Sequence, residues 1–280
     1  MKRILPLAIA TVLFISLNAI VGGSFAQNPD STYRKGIEYA SEGRFKEAAA
    51  WFEDNLKNNR LDSTSISSLA VIKDLNDGKI TDAYARSFFA GLNLLQGGKT
   101  DEGLKELERA IGSKPGYPRA YNVVGVVYAA LGDKSKAVSY FQKAIEINPQ
   151  YSEASFNLGA LYQSSDQPEE ALKYYEKAIS TEPDLLDAII NTASLYASLG
   201  KYPEAIQYYQ NAVKLDRNNP EVYYNLALAY FMSDQLAKFR DNLLKAQELY
   251  QRKGDALGLE KVSVYINKMK EIENKVRHTK

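Results

Sequence analysis

The sequence contains no cysteine and a single histidine, His278, which is the third residue from the end of the chain. The absence of cysteine excludes disulfides, zinc–thiolate sites and cysteine nucleophiles, so the folded chain depends on packing for its stability. The chain also lacks a glycine-rich phosphate loop, a serine–histidine pair in its regular part and a cluster of metal ligands. We therefore expect neither an enzyme nor a bound cofactor.

The chain carries almost no excess charge, because 35 lysines and arginines face 34 aspartates and glutamates. Basic and acidic residues are interspersed, so the sequence gives no sign of a nucleic-acid-binding surface. Acidic pairs such as Glu169-Glu170 begin predicted helices, where the helix dipole favours them structurally. These pairs therefore do not indicate acid–base catalysis.

The amino terminus has the pattern of a targeting segment. Lys2 and Arg3 precede a mostly apolar run over residues 4–21, and Ser24-Phe25-Ala26 resembles a cleavage site. We expect residues 1–26 to be a cleaved signal peptide. The alternative is an uncleaved anchor that contacts the membrane through residues 1–21. Both interpretations place the remaining chain outside the cytoplasm, in the periplasm or the extracellular space.

A two-helix pattern recurs along most of the remaining chain. Over residues 118–149 the small and large apolar positions are Tyr121, Val124, Gly125, Tyr128, Ala137, Phe141, Ala144 and the final Pro149. The same pattern returns 34 residues later at Leu158, Gly159, Tyr162, Ala171, Tyr175, Ala178 and Pro183. Since one such unit cannot bury its apolar faces alone, the units must stack on one another.

This pattern resembles the tetratricopeptide repeat family, whose units are helix pairs of 34 residues. The resemblance covers a first pair at 27–60 and a regular array at 84–253, with units at 84–117, 118–151, 152–185, 186–219 and 220–253. It implies an all-α fold, a right-handed superhelical solenoid of antiparallel helix pairs.

Two segments depart from the repeat. Residues 61–83 are an irregular insert that holds one extra helix over about Thr64–Leu75, capped by Ser63 or Thr64. This helix can pack outside the stack, merge with the next helix, or hinge an isolated first pair against the array; we favour the hinge. Residues 254–280 comprise a helix and a basic tail, and the apolar positions of this helix are Leu259, Val262, Ile266, Met269 and Ile272. A capping helix explains them best, and a dimerisation or membrane-surface helix is the alternative.

The resemblance also implies a concave groove, lined by the first helix of each pair, that holds a peptide. Residues at the fourth, fifth and eighth places after the unit starts are the candidates: Phe88, Leu92, Asn122, Val126, Phe156, Asn157, Ile190, Asn191, Tyr224 and Asn225. The asparagines can instead brace neighbouring helices, and the aromatic residues can pack between units. The second residues of the last four units are mostly acidic, and we expect them to be solvated: Arg119, Glu153, Asp187 and Glu221.

These residues favour a peptide that is apolar or flanked by basic residues. They disfavour the carboxylate clamp of some tetratricopeptide domains, which places lysine and arginine where this chain has Phe156, Ile190 and Tyr224. We therefore expect an exported, non-enzymatic scaffold that binds a segment of a partner protein in a cell-envelope assembly. The alternatives are a module that self-associates through the last helix and a substrate-recruiting subunit of a separate enzyme.

Overall fold

The computed structural model describes residues 33–58 and 62–278, and in these ranges the chain is all-α, with fourteen helices and no strand. The helices are α1 Tyr33–Ser41, α2 Phe45–Asn58, α3 Ser63–Asn76, α4 Asp82–Gln96, α5 Thr100–Ser113, α6 Pro118–Ala130, α7 Lys134–Ile147, α8 Ser152–Gln163, α9 Pro168–Thr181, α10 Leu186–Ser198, α11 Tyr202–Leu215, α12 Pro220–Met232, α13 Leu236–Lys253 and α14 Ala256–His278. The expected signal peptide or anchor lies outside the described residues. None of the helices within them has the length and apolar character needed to cross a membrane.

The chain divides into two compact units, one ending at Ala171 and one beginning at Leu172, so the boundary falls inside α9. The core of unit 1 is built from rings and branched side chains on successive helices, including Phe52, Tyr84, Leu107 and Phe141. Close approach of α6 and α7 requires a glycine, because a Cβ atom at Gly125 would lie 2.7 Å from Cδ1 of Phe141. The repeated small residue thus sets how closely the two helices of a pair can pack.

The first helix pair is not isolated, and the insert does not separate it from the array as a hinge. Phe45, at the start of α2, packs against Phe89 of α4 with ring centroids 6.3 Å apart. Arg86 of α4 also donates a hydrogen bond from Nη1 to the carbonyl oxygen of Glu42, at 3.1 Å. The α1–α2 pair therefore packs directly against α4, and the favoured hinge interpretation is wrong.

The extra helix, α3, packs outside the stack, which was one of the other arrangements that the sequence left open. Its cap is Asp62, whose side chain accepts from the backbone nitrogen of Ser65 at 2.8 Å, rather than Ser63 or Thr64. Val71 and Ile72 of α3 are buried in the unit 1 core. The helix is not part of the alternating stack, but its apolar side is buried in the unit 1 core.

Unit 2 has its own core, which includes Tyr209, Leu243 and Tyr250. The last helix, α14, contributes the predicted apolar positions to this core: Val262 and Ile266 are buried, and Leu259 and Met269 pack against it. The side chain of Ile272 lies outside the described residues. The described part of α14 therefore covers apolar surface of α12 and α13, as a capping helix does.

Candidate functional site

The predicted groove residues of unit 1 lie on α4, α6 and α8, and half of them are buried. Phe88, Leu92 and Asn122 are only 5%, 6% and 5% exposed. Phe88 stacks on Tyr84 and meets Phe89 edge to face, with centroids 5.8 and 5.5 Å apart. These three side chains are buried residues rather than accessible groove contacts. Val126, Phe156 and Asn157 remain partly exposed.

Asparagines connect the first helices of unit 1. Asn157 of α8 donates from Nδ2 to Oδ1 of Asn122 on α6, at 3.0 Å. Asn122 in turn lies 3.5 Å from the hydroxyl of Tyr151, to which its Nδ2 donates. This pair braces adjacent helices, which is the structural role that the sequence left open for the asparagines.

Glu153, in the first turn of α8, accepts hydrogen bonds from three different side chains. Its Oε1 accepts from the Ser67 hydroxyl of α3 at 2.8 Å and from Nη1 of Arg119 at 3.4 Å. Its Oε2 accepts from the Tyr151 hydroxyl at 2.6 Å. We call Ser67, Arg119, Tyr151 and Glu153 the Glu153 cluster. Because three side chains donate to it, the carboxylate of Glu153 is held in one position.

Arg119 completes the cluster as a largely buried cation. Its side chain is 17% exposed, and its guanidinium lies over the Tyr151 ring, 5.4 Å from the centroid. Burial, and then the negative charge of Glu153, raise the pKa of Tyr151 well above its usual value, so this phenol stays a hydrogen-bond donor. The expectation of a solvated surface is therefore wrong for Arg119, which is mostly buried, whereas Glu153 keeps 39% of its side-chain surface exposed.

A second polar contact joins α3 to the start of α6. Tyr117 donates its hydroxyl proton to Oδ2 of Asp74 at 2.5 Å, and its ring meets Tyr84 edge to face at 5.0 Å. Asp74 also accepts from Nζ of Lys79 at 2.8 Å. Partial burial raises the pKa of Asp74, but the bonds from Lys79 and Tyr117 outweigh it and hold the pKa below its usual value. Asp74 is thus a fixed anion.

Sequence reasoning missed the tyrosines and the true role of Arg119. A signal was present, since Arg119 and Glu153 occupy the same place in consecutive units and carry opposite charges. Tyr117 and Tyr151 likewise stand 34 residues apart, just before α6 and α8. Comparison of equivalent places in neighbouring units would have suggested these contacts, because adjacent first helices lie side by side.

In unit 2 the predicted residues lie on α10 and α12, and most of them remain accessible. Ile190, Asn191 and Asn225 are partly exposed. Asn191 donates from Nδ2 to the hydroxyl of Tyr175 at 3.4 Å. Tyr224 is the exception, because it is buried against Tyr265 of α14, with ring centroids 6.3 Å apart. Three of the four predicted residues of this unit can therefore meet a partner.

The start of α12 is held by an acidic contact like that of α8. Glu221 accepts from the hydroxyl of Tyr250 at 2.7 Å and from Nζ of Lys261 at 3.5 Å. Both Glu221 and Lys261 keep about 40% of their side-chain surface exposed, at 40% and 39%. This pair contributes little to stability, since ion pairs with such exposure are screened by solvent. Among the residues that the structure describes, no group of acidic or histidine side chains is arranged to hold a metal ion.

Three family models match consecutive parts of the array. Two models described as tetratricopeptide repeat match residues 90–152 and 152–185, and one described as TPR repeat matches residues 193–234. The chain contains tetratricopeptide repeats. None of the matching models describes an enzyme family. No curated protein sequence matches the chain.

Several solved structures share this fold with the chain. MamA from Desulfovibrio magneticus RS-1 is 23% identical, with a TM-score of 0.55 over 63% of this chain and 99% of its own. YrrB, described as a TPR protein with an unusual peptide-binding site, is 19% identical, with a TM-score of 0.53 over 70% and 98%. PilF of Pseudomonas aeruginosa is 15% identical, with a TM-score of 0.56 over 84% and 96%. At these identities the likeness establishes the helical-repeat fold.

Proposed function

We propose that the chain is a non-enzymatic scaffold that binds a segment of a partner protein on the first-helix face of unit 2, within a cell-envelope assembly. The observation that carries the proposal is the accessible set Ile190, Asn191 and Asn225 on two neighbouring first helices. Asparagine amides offer both a donor and an acceptor, so they can bind the backbone of an extended peptide. Ile190 supplies apolar surface for its side chains.

Charge on the same helices limits the kind of partner. Asp187 and Glu221 stand in the first turns of α10 and α12. A segment that is apolar at its centre and flanked by basic residues complements these acids, and repulsion disfavours acidic peptides. YrrB, with its peptide-binding site, supports a binding role for this fold. The envelope location rests on Lys2, Arg3 and the apolar run at 4–21.

The experiment is affinity capture of partners from native envelopes by the chain and by an Ile190→Glu, Asn225→Ala variant. We expect the variant to lose about 2 kcal/mol of binding free energy, roughly thirtyfold in affinity, because a charge replaces the apolar contact. Gln207→Ala, at an exposed position of α11, is the matched control and should capture normally. Unchanged capture by a variant with normal helix content would refute binding on this face.

Self-association is the second candidate function, and α14 carries the observation that favours it. Leu257 and Val264 are 66% and 63% exposed. They lie seven residues apart, so they share one side of the helix. This side differs from the one that Val262 and Ile266 bury in unit 2. A second copy of the chain would cover the exposed pair.

A further inference from the structure

The helix α3 lies across the starts of two first helices of unit 1. Its residue Ser67 contacts Glu153 in the first turn of α8, and its residue Asp74 contacts Tyr117 immediately before α6. Seven residues of helix span about 10 Å. The helix therefore runs from the start of α8 to the start of α6.

One side of α3 makes all of these contacts. Ser67, Val71 and Asp74 are spaced by four and three residues, so they project from one face of the helix. Val71 is fully buried between the two polar contacts. The face thus presents a hydroxyl, a branched apolar side chain and a carboxylate in that order. The two polar groups meet matching groups, since the hydroxyl donates to Glu153 and the carboxylate accepts from Tyr117.

The other sides of α3 contact α2 or solvent. Asn55 of α2 donates to Oδ2 of Asp62 at 2.9 Å and to Oγ of Ser65 at 3.0 Å, which attaches the start of α3 to α2. Ile66 is 49% exposed and Lys73 is exposed, so the remaining side meets solvent. The contacts with α6 and α8 are therefore a distinct interface, made by one face of the helix.

From this arrangement we infer that the starts of α6 and α8 form a helix-binding surface, and that α3 is its built-in occupant. A partner helix that presents a hydroxyl, an aliphatic side chain and a carboxylate at positions i, i+4 and i+7 competes with α3 for the same place. Only this competition rests on the proposed scaffold function; occupation by α3 does not. The surface is separate from the accessible set on α10 and α12.

A synthetic, fluorescently labelled peptide of residues 62–77 tests the surface directly. The receptor is the full chain with Ala70→Pro, because proline in the middle of α3 removes a helix hydrogen bond and clashes with the preceding turn. By fluorescence anisotropy the peptide should bind this variant at least tenfold more tightly than it binds the wild-type chain. A peptide with Ser67→Ala and Asp74→Ala should bind at least tenfold more weakly, whereas an Ile66→Ala peptide should bind normally.

Absence of peptide binding to an Ala70→Pro chain of normal helix content overturns the inference, as does equal binding of the doubly substituted peptide. Should that variant not fold, hydrogen–deuterium exchange of the full-length Ser67→Ala, Asp74→Ala chain decides. Amides in residues 63–76 should exchange at least tenfold faster than in the wild type, since two partly buried hydrogen bonds are lost. The amides of α6 and α8 should not change, and neither should those of an Ile66→Ala control.

Unchanged exchange in the double variant would show that α3 is not held by this face. Neither measurement uses the unidentified partner or the residues Ile190 and Asn225. Failure here would therefore leave the scaffold proposal standing, and loss of that proposal would leave occupation by α3 intact.

Discussion

Buried tyrosines should make this protein sensitive to alkaline pH. Tyr84 and Tyr151 in unit 1, and Tyr175 and Tyr209 in unit 2, are at most 9% exposed. Burial is the largest effect on each phenol, and it raises each pKa above the usual value of 10.0. The folded chain therefore keeps these hydroxyls neutral at a pH where the unfolded chain ionises them.

The sign and size of the effect follow from proton linkage. Below about pH 10 the tyrosines are protonated in both the folded and the unfolded chain, so their ionisation does not lower the free energy of unfolding. Above it the unfolded chain loses protons that the folded chain keeps, and the free energy of unfolding falls by about 1.4 kcal/mol per pH unit for each tyrosine. Two tyrosines in each unit give about 3 kcal/mol per pH unit. Since a domain has about 5–15 kcal/mol in all, a few pH units are enough to unfold it.

Urea denaturation at a series of pH values, followed by circular dichroism and tyrosinate absorbance, measures this slope. The Tyr175→Phe, Tyr209→Phe variant removes two of the four groups. Each replacement also removes a hydrogen bond, to Asn191 at 3.4 Å and to Ser194 at 2.9 Å, so slopes rather than midpoints should be compared. We expect the alkaline slope of unit 2 to fall by about 3 kcal/mol per pH unit. An unchanged slope, or full tyrosinate absorbance while the helix content stays intact, would refute the reasoning.

The remaining predictions concern packing and association. Gly125→Ala should destabilise unit 1 by about 1–2 kcal/mol in urea, because the added methyl meets the buried Phe141 ring. Gly112→Ala, on the exposed side of α5 with no atom within 4 Å of the added Cβ, should be neutral or stabilising by up to about 1 kcal/mol; equal losses at the two sites would contradict the close-packing argument. For self-association, light scattering should show concentration-dependent oligomers that Leu257→Lys, Val264→Lys abolishes. A strict monomer at every concentration would exclude this candidate.

The repeat units were predictable because residues in contact are separated by about one repeat length along the sequence. The backbone nitrogen of Ala120 donates to the Tyr84 hydroxyl, 36 residues away, and Asn157 donates to Asn122, 35 residues away. These sequence separations are close to the length of one repeat, so the periodic sequence already indicates which positions are in contact. The spacing of Gly125 and Phe141 predicts the helix pair for the same reason.

The accessibility of the candidate residues was less predictable. The repeat pattern assigns Phe88 and Tyr224 to a groove, but Phe88 stacks on Tyr84 of its own helix and Tyr224 packs against Tyr265. Tyr265 belongs to α14, outside the repeats. Placing α3 was harder still, because its hydrogen bond from Ser67 reaches 86 residues along the chain. No periodicity relates the insert to that position.

That long reach has a consequence for the order in which the chain acquires its structure. A helix of 14 residues, the length of α3, is marginal in water on its own. Ser67 is synthesised 86 residues before the carboxylate that it meets, a delay of roughly 4–17 s at ordinary ribosomal rates. The array must therefore grow through α8 before α3 can dock fully. An element near the beginning of the chain completes its contacts only after helices that are made much later.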